Sequence, residues 1–103
     1  MKLGGKPFAV RVIGKTYDIH YASGKPLEKD DLGEFDPALQ KITVRKGQPL
    51  ETEQDTVLHE VTHAVDSELN LKLTENQVRG LATGLLAVLK DNPKFYSYLR
   101  RKK

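Results

Sequence analysis

TVLHEVTHAVD, residues 56–66, holds two of the chain's three histidines, four apart, with a glutamate directly after the first. Val57, Leu58, Val61, Ala64, Val65 and then Leu69 recur at helical spacing, so the segment is predicted to be the centre of an amphipathic helix. Thr52 with Asp55 three residues later is a capping-box pattern, which sets the predicted helix at about Glu53 to about Leu69. On a helix, residues four apart differ by about 40° in direction and about 6 Å in height. His59 and His63 therefore face the same way, and both imidazoles can reach one ion. Glu60 lies about 100° round from His59, beside such an ion rather than among its ligands. That is where a general base for a metal-activated water belongs.

Two imidazoles do not make a tight site, and a catalytic zinc takes a third protein ligand. The chain has no cysteine, so only His, Asp and Glu are available. A third histidine at either of its usual spacings would stand at 68 or 69, which are Glu68 and Leu69. On a continuous helix Glu68 points about 180° away from His59. Asp66 is about 20° from it, but is short and lies beyond His63 along the axis, which suits an outer partner of the site at best. Thr74 with Gln77 repeats the capping pattern, and Val78, Leu81, Ala82, Leu85, Leu86 and Leu89 form the apolar stripe of a second predicted helix, about 75–90. Glu75 opens it, on the side continued by Val78, Ala82 and Leu86. If the helices pack together after a turn over 70–73, Glu75 projects onto the histidine face. A glutamate there equally complements the positive end of a helix dipole, and spacing leaves both readings open. Gly80 and Gly84 cost helix propensity, for which close packing against a neighbouring helix is the predicted return.

Outward from these helices the pattern changes. Phe8 to Ile13 is rich in β-branched residues, Gly14-Lys15 can turn the chain, and Thr16 to Ala22 alternates Tyr17, Ile19 and Tyr21 against Asp18 and His20, which predicts a hairpin over 8–22. Ser23 to Ala38 is rich in Gly, Pro and charge and reads as loop, and KITVRK, residues 41–46, reads as a further strand. Asn92-Pro93 suits the start of a short last helix docked through Phe95, Tyr96 and Leu99. The expected fold class is α+β, a small antiparallel or mixed sheet packed on two helices, in one domain over 1–103 with residues 1–7 flexible.

The net charge is +3, but Arg100, Arg101, Lys102 and Lys103 supply four positive charges at one end, and the remainder carries −1. A solvated basic tail explains this better than a nucleic-acid surface, which would spread its charge over a face. No window approaches the roughly 20 apolar residues of a membrane span, and MKLGGKPFAV lacks the apolar stretch of a secretory signal. A soluble, monomeric cytoplasmic protein is expected.

HEVTHAVD, residues 59–66, resembles the active-site helix of gluzincin-type zinc metallopeptidases. GEFDPALQKITVR (33–45) and LTENQVRGLATGLL (73–86) join it in resembling the small phage and mobile-element metallopeptidases related to the ImmA/IrrE family. The resemblance spans about residues 33–92 and implies a minimal zincin-like fold, bound zinc and a protein or peptide substrate in a bacterial host's cytoplasm. It implies that Glu75 is the third ligand beside His59 and His63, and that Glu60 is the catalytic base. It also implies that strand 41–46 borders the cleft and pairs with the substrate backbone. Two departures stand out. Thermolysin-like enzymes carry an aspartate four residues after the ligand glutamate, where this chain has Arg79. They also use a histidine and a tyrosine to meet the developing oxyanion. The spare histidine is His20, on the polar face of the predicted hairpin. Tyr17, Tyr21, Tyr96 and Tyr98 are as well explained by the core. A zinc-dependent endopeptidase is thus the leading expectation. The alternative is a non-catalytic interaction module in which zinc locks two helices together, and such a module has no use for Glu60.

Overall fold

A computed structural model of the chain describes residues 8–23 and 31–102. The segment expected to be flexible, 1–7, and Lys103 of the basic tail lie outside the described residues. Phe8–Val12 (β1) and Lys15–Ala22 (β2) form the predicted hairpin, with Val12 paired to Lys15 across Ile13-Gly14. Both turn residues have positive φ, 46° and 84°. That is the backbone of the two-residue turn whose twist matches paired strands. Gly14 adopts it without steric cost, while Ile13, β-branched, does not.

Gly33–Asp36 (β3) and Lys41–Arg45 (β4) form a second antiparallel pair. The Asp36 carboxylate accepts the Leu39 N–H at 3.1 Å to shape the turn between them. β4 also runs parallel to β2, so the sheet is mixed, in the order β1-β2-β4-β3. This corrects the sequence reading twice. The stretch 23–38, read as loop, contains β3, although 24–30 lie outside the described residues. Strand 41–46, expected to border the cleft and take a substrate strand, ends at Arg45 and has both hydrogen-bonding edges occupied, by β2 and β3. Its three consecutive buried residues, Ile42, Thr43 and Val44, are the mark of an interior strand. The edge position falls to β3.

Leu50–Leu69 (α1) lies on one face of the sheet. It starts at Leu50 rather than Glu53, with Pro49 at its N-cap and no side-chain cap. Proline disfavours helical backbone in the residue before it, so the helix begins directly after the ring. Thr52 and Asp55 are then already inside the helix and form no capping box; the Asp55 carboxylate instead accepts the Thr83 hydroxyl at 2.9 Å. Tyr17, Ile19, Ile42, Val44 and Ala64 are fully buried between sheet and helix, with Phe35, Val57 and Val61 packed around them. The Tyr17 hydroxyl donates to Glu68 at 2.8 Å and the Tyr21 hydroxyl to Glu53 at 3.4 Å, which fastens β2 along α1.

Asn70 ends α1 in the left-handed conformation, with φ 53°. Glu75–Asp91 (α2) follows with both halves of the Thr74/Gln77 capping box in place. It packs on α1 through Val78 and Ala82 and does not touch the sheet. Pro93–Arg100 (α3) is the predicted last helix. Three packing expectations fail here, the first that the sheet packs on both helices, since only α1 reaches it. A Cβ at Gly80 or Gly84 would meet nothing within 4 Å. Phe95, Tyr96 and Leu99 remain exposed, because α3 touches only α2 and buries none of its residues. Among the described residues no helix is long and apolar enough to cross a membrane.

Candidate metal centre

His59 and His63 stand on successive turns of α1 on the side facing the start of α2. Their rings meet edge to face with centroids 5.0 Å apart, and Phe35 of β3 stacks on His63 at 6.4 Å and 8°. Aromatic contact on one side leaves the His63 ring few orientations. The Glu75 carboxylate closes the group: one oxygen lies 2.8 Å from Nε2 of His59, the other 3.0 Å from Nε2 of His63. One ligand atom from each of the three residues falls within 4.8 Å of the others. Two imidazoles and a carboxylate are a donor set that zinc accepts, at bonds of about 2.0–2.2 Å, and leave a fourth tetrahedral position open.

The turn between the helices explains how Glu75 arrives there. The Asp66 carboxylate accepts the Leu73 N–H at 3.1 Å, and its carbonyl accepts those of Asn70 and Leu71. Asp66, weighed above as an outer partner of the histidines, instead holds the 70–73 turn that aims α2. Glu68 points away from the histidines into its bond with Tyr17, as the helix geometry requires.

Glu60 faces a cleft of about 330 Å³ between β3, α1 and α2, bordered by Asp31, Gly33, His59, Glu75, Arg79 and Thr83 among others. The residue is only 6% exposed. Burial raises its carboxyl from 4.5 to about 7, with the neighbouring charges of Glu75, Asp31 and Glu34 adding to the effect. Its cover is the backbone of β3: a Cβ on Gly33 would stand 3.1 Å from the Glu60 carboxylate and 2.7 Å from the Thr56 methyl. Gln48 holds that strand in place. Its amide donates to the Leu32 and Arg45 carbonyls at 3.2 and 2.8 Å, and its side-chain oxygen accepts the Thr56 hydroxyl at 2.8 Å.

Gly33→Ala is expected to cost about 1–3 kcal/mol in a denaturant titration, the range for overpacking at a close contact. Adding Thr56→Ser, which removes the methyl but keeps the hydroxyl, should restore part of it. No loss in the single variant would mean that β3 does not press on α1 here.

The raised carboxyl also predicts a pH dependence for the metal-free chain. The folded state holds the Glu60 proton more tightly than the unfolded state does, so the associated stability is full below about pH 4.5 and is lost as pH rises through about 7. The difference in unfolding free energy between wild type and Glu60→Gln should shift in that direction across this window. A pH-independent difference would contradict the buried environment.

Of the other candidates, His20 lies on the sheet face opposite α1, since its neighbours Ile19 and Tyr21 face the helix. Tyr17 and Tyr21 are committed to Glu68 and Glu53, and Tyr96 and Tyr98 sit on α3; none borders the cleft. The structure thus brings His59, His63, Glu75 and Glu60 together. It adds Gly33, Thr56 and Gln48, which sequence reasoning did not place at the site, and Arg79, which the sequence showed only as a departure from the thermolysin-like pattern. A glycine opening the GEFD stretch was the one visible signal. No family model, curated protein or solved structure matches the chain.

Proposed function

We propose that this chain is a minimal zincin-like metallopeptidase that hydrolyses a peptide bond in a protein or peptide substrate, of the kind its motifs resemble in phage and mobile elements. The observation that carries the proposal is the pairing of a three-residue ligand group with a buried carboxylate, Glu60, that has no other evident duty. His59, His63 and Glu75 would hold zinc. The ion, when bound, supplies the Lewis acidity that makes a water proton easy to remove at neutral pH.

Glu60 accepts that proton as the water oxygen bonds to the carbonyl carbon, and the π electron pair of the carbonyl moves onto its oxygen. As the pair returns and the C–N bond breaks, Glu60 gives the proton to the departing nitrogen. The products are a carboxylic acid and an amine, and Glu60 ends as it began. Burial, with the acidic neighbours adding to it, favours holding a proton on Glu60 between the two transfers, and the positive charge of a bound ion would oppose this. β3, the edge strand of the sheet among the described residues, lies beside the cleft and would present its outer backbone N–H and C=O groups to an extended substrate.

The test is incubation of the zinc-loaded chain with a peptide mixture derived from bacterial proteins, followed by mass spectrometry for new amino termini. Cleavage that stops with a chelator and returns with zinc is expected. An intact mixture in all conditions removes the peptidase reading and leaves the zinc-stabilised interaction module.

A further inference from the structure

Water addition to an amide places a full negative charge on the carbonyl oxygen, and a peptidase site gains most from a fixed positive donor aimed at that oxygen. The histidine and tyrosines that could have served lie elsewhere: His20 is behind the sheet and all four tyrosines are outside the cleft. The cleft hydroxyls are committed too, Thr56 donating to Gln48 and Thr83 to Asp55. Among the described residues that border it, the one cationic side chain is Arg79. It follows Glu75 by one turn of α2, so both project from the same face of the helix. Its Nη2 lies 3.8 Å from the nearer Glu75 oxygen, too far for a hydrogen bond. The cleft's other acidic lining residues, Asp31 and Asp55, carry hydrogen bonds from Arg45 and Thr83.

We infer that Arg79 is a catalytic residue: its guanidinium, on the α2 wall of the cleft, donates to the carbonyl oxygen of the bond being cut while Glu60, on α1 under the cover of β3, handles the proton. This rests on the peptidase reading above. An arginine presents several N–H groups in a rigid fork and stays charged at every working pH, so the donor needs no proton of its own to be in place. The competing role is plainer: an exposed i,i+4 ion pair that merely steadies Glu75. The two roles separate experimentally, because a Glu75 support acts on the metal and an oxyanion donor does not.

The experiment compares wild type, Arg79→Ala, Arg79→Lys and Glu60→Gln, each assayed for zinc per chain, with a peptide cleaved by the wild type and the phosphonamidate analogue of that peptide, whose tetrahedral anionic centre mimics the adduct. Arg79→Ala should keep its zinc, lose about 10²–10³-fold in kcat with KM nearly unchanged, and bind the phosphonamidate weaker by a similar factor. Arg79→Lys should regain part of the rate, as a cation without the fork. Full activity in Arg79→Ala, loss of its zinc, or a raised KM at unchanged kcat each overturns the assignment. If Glu60→Gln abolishes cleavage while Arg79→Ala does not affect it, only the Arg79 role falls. If the wild type cleaves nothing, the peptidase reading falls and takes Arg79 with it.

Discussion

Glu60→Gln is expected to retain zinc and the native fold while slowing peptide cleavage by about 10²–10⁴-fold, the usual contribution of a positioned general base. The substitution is nearly isosteric, which matters because Gly33 and Thr56 leave the side chain little room. A carboxamide fits the same seat but cannot take a proton from water. Elemental analysis and circular dichroism on the same preparation establish that only the base has been removed. In the metal-free chain the variant should be no less stable than wild type at neutral pH, since a buried carboxylate is replaced by a neutral group. Retained cleavage at the wild-type rate would exclude Glu60 as the base, and equal inactivity of both would favour the interaction module.

Zinc added in excess is expected to raise the melting temperature substantially, and Glu75→Ala should abolish the rise. A ligand that binds only the folded state stabilises by about 2.7 kcal/mol at a hundredfold excess over its Kd. In a domain this small, each kcal/mol moves Tm by roughly 4–8 °C, so a shift of about 10–20 °C follows. The proposed ligand group links α1 to α2, which also meet through Val78, Ala82 and polar contacts at the rim. Asp66→Ala should keep near-stoichiometric zinc, because Asp66 shapes the turn and touches neither histidine. An unchanged Tm with zinc, in a wild type that elemental analysis shows to be metal-free, would remove the metal centre.

The helices were legible because each has an apolar stripe of several turns and, in α2, a capping box that the structure forms as written. The alignment of the two histidines follows from the same periodicity, since four-residue spacing sets His59 above His63 wherever the helix lies, whereas spacing left the placement of Glu75 open. β3 was hidden for a physical reason. It is four residues long, carries Glu34 and Asp36, and has Phe35 as its one large apolar residue, which is how edge strands avoid pairing with other chains. Glu60's setting was hidden with it, since the Gly33 contact joins positions far apart in sequence. The exposed docking residues of α3 have a simpler cause: amphipathic spacing says that a face is apolar, not that another element reaches it.

The two halves of the candidate site differ in how far apart their parts lie along the chain. His59, His63 and Glu75 belong to one helical hairpin closed by a short turn, whereas the cover over Glu60 comes from a strand that precedes the helix and must first join the sheet. Local contacts form early and distant ones late, because closing a longer loop costs more chain entropy before any contact repays it. The three proposed ligands therefore meet once the α1–α2 hairpin forms, while the Phe35 ring stacked on His63 and the cover over Glu60 require the completed sheet. On the proposed reading, the donor atoms of the site would be gathered before their surroundings are complete, and the setting of the base would arrive with the last long-range contacts.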